Sequence, residues 1–354
     1  MEPDAPTLFD VPRDRPAGPS AHPQVADHRG AARDAAAAGA APGDDRDRAR
    51  DERPVLLAVD GDALAHRAYH GYAGGRGGRY GFFALLAAVC DEAPADGLVV
   101  GFDCRRRSAR REREPAYKAQ RGAKERELVA LLDRLPGDCA GLGLAVGVAA
   151  GWEADDVVAS AAAAAEARGW RCAVATSDRD AYALASEATT IVRVRGGDRA
   201  VEHLTPRRLR RKLGVHPERY VAYAALRGDT SDNLPGVPGI GPRRAAALLA
   251  AFADVEDAAD DPIGCRSVLG PTAGQALLDD LATGPASVYR RNLALMTPRR
   301  DLPVDLDTAR RRPHPDDIAA TLAGWGLGGL AGRLATAVAA RPEAIPPPDA
   351  PLDP

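Results

Sequence analysis

The chain has 354 residues, of which 45% are hydrophobic and 27% are charged, with a formal net charge of -3. This composition matches soluble globular proteins and excludes a chain that is disordered throughout. No apolar stretch approaches the roughly 18 residues of a membrane helix, and residues 1–10 are acidic, unlike an export signal. We therefore expect a cytoplasmic protein that has no membrane contact.

Both ends of the chain have the composition of flexible tails. Residues 1–53 mix Pro, Ala, Gly, Asp and Arg without periodicity, and residues 341–354 are rich in Pro. Neither segment can bury enough apolar area to offset the entropy that ordering it would cost. The folded region is predicted to cover residues 54–340.

Residues 54–203 alternate short apolar runs with helical patterns. Strands are predicted at 55–59, 98–102, 172–176 and 190–194, and helices at 81–92, 122–135 and 154–168. This alternation indicates an α/β domain with a mostly parallel sheet and helices on both faces. Pro136 and Gly137 should end or kink the second helix. Strand signals fade afterwards, so residues 204–340 are predicted to form a helical subdomain.

The cysteines indicate neither a disulfide framework nor a zinc site. All five stand alone, without CxxC spacing: Cys90, Cys104, Cys139, Cys172 and Cys265. Isolated thiols of this kind are typical of small buried side chains in a reducing compartment.

Three predicted strands are followed directly by acids. Asp60 follows 55–59, and Asp103 follows 98–102. Asp178 and Asp180 follow 172–176. The carboxyl ends of parallel strands converge on one crevice where ligands bind. Asp also favours turns and helix starts, which would explain any one of these acids but not their shared placement.

Further acids lie in two short segments: Glu153, Asp155, Asp156, Asp229 and Asp232. The helix dipole favours acids at a helix start, yet three carboxylates within four residues repel one another unless cations neutralise them. A cluster of acids without His or Cys suits Mg²⁺ or Mn²⁺. Two such ions roughly 4 Å apart would fit phosphodiester hydrolysis.

Basic residues are concentrated beside these acids. Residues 105–126 contain ten Arg or Lys and three Glu. Such a run is often a solvated face, but this one includes Tyr117, Lys118 and Arg121, which could stack a base and hold phosphates. A second basic run opens the helical subdomain: Arg207, Arg208, Arg210, Arg211 and Lys212.

A glycine-rich turn lies within the predicted helical subdomain. Gly236, Gly239 and Gly241 permit a tight turn between two helices, with Arg243 and Arg244 directly after it. Exposed amides at such a helix start can bind phosphate without reading sequence. The turn is therefore predicted to hold a duplex backbone.

In this order the segments resemble the 5′ nuclease family, which includes flap endonucleases and the 5′-3′ exonuclease domain of bacterial DNA polymerase I. The resemblance spans about residues 55–335 and rests on 59–61, 64–69, 102–103, 117–121, 151–156, 176–180 and 228–241. It implies a PIN-like α/β nuclease core, with a helix-three-turn-helix motif in a C-terminal helical subdomain.

The resemblance also implies roles for particular residues. A first metal site would comprise Asp60, Asp103, Glu153, Asp155 and Asp156, and a second Asp178, Asp180, Asp229 and Asp232. Lys118 and Arg121 would contact the scissile phosphate at the base of a helical arch. Tyr117 would stack near the reacting nucleotide, and Arg67 would support the phosphate. A potassium ion is expected at the glycine-rich turn.

The chain departs from the family pattern at several positions. Arg179 stands where the family has Lys, and Pro242 to Arg244 replace a frequent Glu-Lys pair. The chain length leaves no room for a polymerase domain, so a stand-alone enzyme is expected.

The function that the resemblance implies is Mg²⁺-dependent cleavage of duplex DNA near a 5′ flap or 5′ end, in replication and repair. The enzyme is expected to act as a monomer at the nucleoid. RNA primers are a further expected substrate. One alternative is a DNA-structure binding protein of this fold without catalysis, which missing acids would mark. Another is a small metal-dependent ribonuclease, which would lack the arch and the glycine-rich turn. Residues 6–9 faintly resemble peptides that dock on the bacterial sliding clamp.

Overall fold

The computed structural model describes residues 53–72, 77–194 and 201–342. The proposed clamp peptide at 6–9 and nearly all of both predicted tails lie outside these ranges. None of the helices in the described part of the chain is long and apolar enough to cross a membrane.

A six-stranded sheet forms the centre of the α/β domain. Its strands are β1 (Val55–Asp60), β2 (Gly97–Phe102), β3 (Ala145–Val148), β4 (Arg171–Thr176), β5 (Thr189–Val194) and β6 (Val201–Leu204). Their order is β3-β2-β1-β4-β5-β6, and only β6 runs antiparallel to its neighbour. The four predicted strands and the mostly parallel sheet are confirmed, whereas β3 and β6 were not predicted.

Helices α1 to α5 connect and cover these strands: α1 (Gly61–Gly71), α2 (Gly77–Glu92), α3 (Ala109–Arg113), α4 (Arg126–Gly141) and α5 (Ala154–Ala167). Strand β1 is buried throughout because both of its faces are covered. Leu57 and Val59 join the core beneath α2 and α4, whereas Leu56 and Ala58 join the core beneath α5. This period of two is the side-chain alternation of a strand.

The prediction that the second helix ends or kinks near Pro136 was wrong about its end, because α4 continues through Pro136 to Gly141. Proline removes a single backbone donor there, while the following turn is held by other contacts. Cys139 is fully buried, and Asp138 accepts two hydrogen bonds of 2.7 Å from Arg79. These contacts stabilise the helix beyond the proline.

The remainder of the described chain is mostly helical. Its helices are α6 (Pro206–Leu213), α7 (Tyr220–Arg227), α8 (Pro242–Ala251), α9 (Asp257–Asp260), α10 (Pro262–Leu269), α11 (Pro271–Ala282), α12 (Val288–Met296), α13 (Leu306–Arg310), α14 (Pro315–Gly324) and α15 (Ala331–Ala339). Two short strands, β7 (Gly228–Asp229) and β8 (Leu234–Pro235), form a hairpin between α7 and α8. The last two helices return to the α/β domain, where Ile318, Leu322 and Leu334 share the core with α2.

The sheet topology creates a crevice at the carboxyl ends of β1 and β4. From β1 the chain first adds strands on one side, β2 and β3, and then crosses to β4 on the other side. Adjacent connections leave such a strand pair in opposite directions, which opens a ligand crevice at its carboxyl edge. Asp60 and Thr176 are the last residues of β1 and β4.

Candidate active site

Asp60 lies at the base of the crevice and is held by the elements on both sides. Its Oδ1 accepts a 2.9 Å hydrogen bond from the Ala63 amide at the start of α1, and its Oδ2 accepts a 2.8 Å bond from Thr176 Oγ1. Burial raises the pKa of Asp60 to about 7, and the nearby charges of Asp62 and Asp103 act in the same direction. The fold thus keeps a carboxyl group where its ionised form is poorly stabilised.

Asp155, in the first turn of α5, faces the same crevice. Its Oδ1 is buried and has no hydrogen-bond partner among the described residues. Burial raises the pKa of Asp155 well above its usual range, and the carboxylates of Asp60, Asp178 and Asp180 raise it further. Acids from three separate chain segments therefore meet here, as predicted from their positions after strands and at a helix start.

Asp178 and Asp180 form the turn after β4. The Asp178 amide donates to Thr176 Oγ1 at 3.0 Å, and the Asp180 amide donates to Asp178 Oδ1 at 3.0 Å. Burial raises the pKa of Asp180 to about 7, and repulsion from Asp178, Asp232 and Asp229 adds to it. Asp180 therefore links the acids after β4 to those of the 229–232 turn.

Asp103 lies after β2 at the edge of this group. Its Oδ1 accepts a 2.8 Å bond from the Ala154 amide, and its own amide donates to Asp62 Oδ2 at 2.8 Å. Asp62 also pairs with Arg105 at 2.6 Å. Burial raises the pKa of Asp103, with Asp62 as a second cause. Asp62 was not predicted, although its place in the Asp-Gly-Asp segment after β1 was a usable signal.

The carboxylates of Asp60, Asp155, Asp178 and Asp180 form the acid cluster. Asp156 is not brought to it, contrary to what the resemblance implied. Its side chain is fully buried and accepts bonds of 2.6 and 2.7 Å from Arg110. The amides of Arg299 and Glu153 also donate to it, at 2.8 and 3.0 Å. With both oxygens engaged, Asp156 connects α5, α3 and the segment after α12. Nothing in the run of arginines singled out Arg110 for this contact.

Glu153 pairs with cations from residues 105–126, which we call the basic segment. Its Oε2 accepts from Lys118 Nζ at 3.0 Å and from the Tyr117 hydroxyl at 3.1 Å, with Arg110 at 3.4 Å. Burial would lower the pKa of Lys118, but the carboxylates of Glu153 and Asp232 outweigh it and raise the pKa. Lys118 is therefore a protonated group inside the site.

The 229–232 turn is held by the same basic segment. Asp232 Oδ1 lies 2.5 Å from an Arg121 nitrogen, and its Oδ2 lies 3.8 Å from Lys118 Nζ. Asp229 Oδ1 accepts from the Ser231 amide at 2.7 Å. Asp229 therefore shapes the turn, while Asp232 balances the two cations.

Several hydrogen bonds pin the basic segment to this turn. The Lys118 amide donates to the Asp232 carbonyl at 2.9 Å, and Gln120 Nε2 donates to the carbonyls of Thr230 and Ser231 at 3.0 Å. Asn233 Nδ2 donates to the Ala116 carbonyl at 2.8 Å. Lys118 and Asn233 both have left-handed backbones, with φ of 55° and 58°. The bonds offset a conformation that non-glycine residues rarely adopt.

The expected arch does not place its key residues on a helix. Lys118 and Arg121 lie in turns and coil between α3 and α4. Tyr117 is 4% exposed, and Lys118 Nζ lies 4.7 Å from the centre of its ring. The ring packs in the core and, as placed, is not a stacking surface for a base.

An open cleft of about 920 Å³ adjoins the acid cluster, and Arg67 of α1 lines it. Arg121 and Asp178 line the same cleft. A strand of nucleic acid in it would meet both arginines and an acid after β4. The location of Arg67 is therefore compatible with the phosphate contact that the resemblance implied.

The acid cluster fits hard divalent cations by its chemistry. Its donors are carboxylate oxygens, the preferred ligands of Mg²⁺ and Mn²⁺. A buried Asp155 oxygen that has no partner among the described residues, and raised pKa values at Asp60 and Asp180, indicate missing positive charge. Among the described residues, no three His, Cys, Asp or Glu side chains converge closely enough to complete a coordination sphere. The side chains would therefore have to rearrange to bind an ion.

Residues 228–241, the hairpin together with the loop that leads into α8, present free backbone donors; we call this whole segment the hairpin below. Gly228 and Gly239 have φ of +73° and +78°, and the amides of Gly239 and Gly241 donate to no protein group among the described residues. Arg244 folds back to the Gly239 carbonyl at 2.8 Å, whereas Arg243 is exposed. Gly236 packs directly against the backbone of α7's last residue.

A buried amide, which was not predicted, holds this hairpin in place. Asn292 of α12 is fully buried and donates to the carbonyls of Ala225 and Pro235 at 3.0 and 2.8 Å. Asn292 therefore holds β8 against α7.

Cys104 lies at the start of the basic segment and lines a second cleft with Lys118 and Glu153. Burial alone would raise its pKa, but amide hydrogen bonds from Gly151, Arg106 and Arg107 lower it. The other four cysteines are buried, and burial raises their pKa.

Known proteins share both the sequence pattern and the fold. Residues 55–214 match the model of the 5′-3′ exonuclease N-terminal resolvase-like domain. Residues 215–317 match that of the 5′-3′ exonuclease C-terminal SAM fold. These two models meet at 214/215, whereas the fading of strand signals predicted a boundary at 203/204.

Curated relatives include bacterial DNA polymerases. DNA polymerase I of Mycobacterium bovis is 36% identical over 289 residues, which are 78% of this chain and 30% of the relative. The thermostable DNA polymerase I of Thermus filiformis is 35% identical over 277 residues, 74% of this chain and 30% of the relative. The chain thus spans about 30% of the length of these relatives.

Solved structures share the fold at low sequence identity. The phage T5 5′-exonuclease with bound zinc has a TM-score of 0.57 and 21% identity, covering 80% of this chain and 98% of that one. Human GEN1 in complex with Holliday junction DNA has a TM-score of 0.53 and 14% identity, covering 80% and 71%. Together with the two matching domain models, the acid-lined crevice and the glycine hairpin, these findings show that the chain belongs to the 5′-3′ exonuclease family.

Proposed function

We propose that the protein is a metal-dependent 5′ nuclease that hydrolyses phosphodiester bonds of DNA near 5′ ends and flap junctions. The observation that carries the proposal is the meeting of Asp60, Asp155, Asp178 and Asp180 at one crevice, where burial and mutual repulsion raise the pKa of three of them. Buried carboxyl groups whose ionised forms are destabilised in this way are typical of functional sites.

Two Mg²⁺ or Mn²⁺ ions at this cluster would supply an activated water and neutralise charge on the reacting phosphate. Asp60, Asp155, Asp178 and Asp180 would hold them, with Asp103 at the edge. Arg110 keeps Asp156 out of this set and thereby fixes the start of α5, which carries Asp155.

The basic segment supplies the phosphate contacts. Lys118 and Arg121 pair with Glu153 and Asp232 at 3.0 and 2.5 Å, and Arg121 also lines the cleft beside Asp178. An entering phosphate would exchange these carboxylates for its own oxygens and draw both cations to the reacting group. Arg67 would contact a neighbouring phosphate from the cleft wall.

The hairpin would hold the duplex portion of the substrate. The amides of Gly239 and Gly241, which donate to no group in the described part of the chain, and the exposed Arg243 suit contact with a phosphate backbone. They carry no base-reading groups. A K⁺ ion at the hairpin, RNA primers as further substrates and a monomeric cytoplasmic protein complete the proposal.

The test is single-turnover cleavage of a 5′-flap DNA duplex by the full chain. With Mg²⁺ we expect incision near the junction, which EDTA and Asp178→Asn abolish while flap binding persists. Asp316→Asn is the matched control, because the Asp316 side chain is 91% exposed on α14. Tight flap binding without incision in Mg²⁺ or Mn²⁺ would instead indicate a DNA-structure binding protein without catalysis.

A further inference from the structure

Helix α6 has an unusual charge for its length. Its eight residues include five cations and no acid. It is otherwise an ordinary helix, with Thr205 Oγ1 accepting from the Arg208 amide at its start and Gly214 in the left-handed conformation at its end. The helix dipole favours cations near the carboxyl end, but it gives no reason for Arg207 in the first turn.

Four of the five cations of α6 are exposed and pair with no described residue. Leu209 is buried, and Arg208 donates to the His203 carbonyl at 2.8 Å. The other four cations, Arg207, Arg210, Arg211 and Lys212, are exposed and have no hydrogen bond or ion pair with any described residue. Elsewhere exposed arginines are often paired, as Arg107 is with Glu112 at 2.7 Å. The outer face of α6 is thus a surface of uncompensated positive charge.

The carboxyl end of α6 adjoins α8, the helix that follows the hairpin. Gly214, which ends α6, packs so closely on α8 that a Cβ at Gly214 would lie 3.6 Å from Ala246 Cβ. Arg243 lies three residues before Ala246 and therefore on the same side of α8, about 5 Å nearer the hairpin. The carboxyl end of α6 therefore lies beside α8, on the side of α8 that carries Arg243.

We propose that α6 is a second contact for the phosphate backbone of duplex nucleic acid, continuous with the hairpin. This inference rests on the proposed function, since it extends the duplex grip beyond the hairpin. A polyanion is the fitting occupant, because the outer face consists of Arg207, Arg210 and Arg211 without an exposed apolar residue. A protein interface or a membrane contact would need apolar groups there. The helix is about 12 Å long, which matches a few successive phosphates.

The test compares two triple variants in equilibrium binding of a 5′-flap duplex, in EDTA, across a salt series. The first replaces Arg207, Arg210 and Arg211 with Gln. The matched control replaces Arg168, Arg310 and Arg311 with Gln. Two of these flank Trp170, just before β4, at the amino edge of the sheet opposite the acids. Thermal unfolding of both variants verifies that they remain folded.

We expect the α6 variant to bind at least about tenfold more weakly in 0.1 M salt. The negative slope of its log K against log salt should become shallower by about 2 to 3, as for three lost phosphate contacts. The control should keep the wild-type slope. An unchanged slope in the α6 variant, or an equal loss in both variants, would overturn the role of α6 and leave the nuclease proposal intact. Absence of flap binding by the wild-type protein would overturn both.

Discussion

Replacing Asp60 with Asn should stabilise the metal-free protein while abolishing its proposed activity. Asp60 is 4% exposed and lies among other carboxylates, and its pKa is raised from 3.8 to about 7. Below pH 4 the group is protonated in both the folded and the unfolded chain. As the pH rises towards 7 the unfolded chain releases its proton first, so the folded state loses stability. The Asn variant lacks this loss.

The size of the effect follows from the pKa. A shift of about 3 units at about 1.4 kcal/mol per unit corresponds to about 4 kcal/mol at pH 8, shared with the acids that repel Asp60. We therefore expect Asp60→Asn to raise the free energy of unfolding by about 2 to 4 kcal/mol at pH 8 and by little at pH 4. Asn keeps an oxygen for the Ala63 amide, so the start of α1 is retained.

Urea unfolding in EDTA at pH 4, 6 and 8 measures this difference. Asp156→Asn is the informative counterpart, because it leaves Arg110 buried without its partner and should destabilise the protein by about 3 kcal/mol. If Asp60→Asn gives no gain at pH 8, or the same gain at every pH, then the pKa of Asp60 is not raised by its burial and by the neighbouring carboxylates as argued here. Mg²⁺ should stabilise the wild-type protein more than the variant, since the ion relieves the same repulsion.

Further variants test the phosphate contacts and the hairpin. Lys118→Ala should slow single-turnover cleavage about 100-fold yet weaken flap binding only a few-fold, because one contact among many matters most as charge develops. Equal losses would make Lys118 a binding contact alone. Gln120→Ala removes two hydrogen bonds to the 229–232 turn and should slow cleavage about fivefold at saturating DNA; an effect on binding alone would argue against a positioning role. Gly228→Ala should lower the free energy of unfolding by at least about 2 kcal/mol, because its φ is +73° and a Cβ would clash with Gly236. Gly332→Ala, in open space on α15, should not.

Sequence predicted the parts of the fold that depend on local patterns. Strands β1, β2, β4 and β5 were found because each contains a short apolar run bounded by polar residues or turns. Strand β3 has only four residues and includes Gly147, and β6 is a half-buried edge strand with Glu202 and His203 in its centre. The Ala- and Gly-rich apolar run around β3 does not distinguish a strand from a helix, and β6 lacks the apolar run that marks a buried strand.

The site was predictable to the extent that topology determines it. Acids placed directly after parallel strands had to meet, and Asp60 and Asp178 do lie near Asp155. The separation of Asp155 from its neighbour Asp156 was not predictable, because it depends on Arg110, 46 residues earlier in the chain. Side-chain pairing across such distances is determined by tertiary packing and leaves no periodic signal in the sequence.

Cys104 offers a native position for a fluorescent label. Cys104 combines a lowered pKa with partial exposure, whereas the other cysteines are buried and burial raises their pKa. Because the thiolate is the nucleophile, a maleimide dye at neutral pH should attach to Cys104 first. The fluorophore would then stand beside the basic segment, in the second cleft. Its emission would follow the arrival of a DNA strand in real time, without any engineered cysteine.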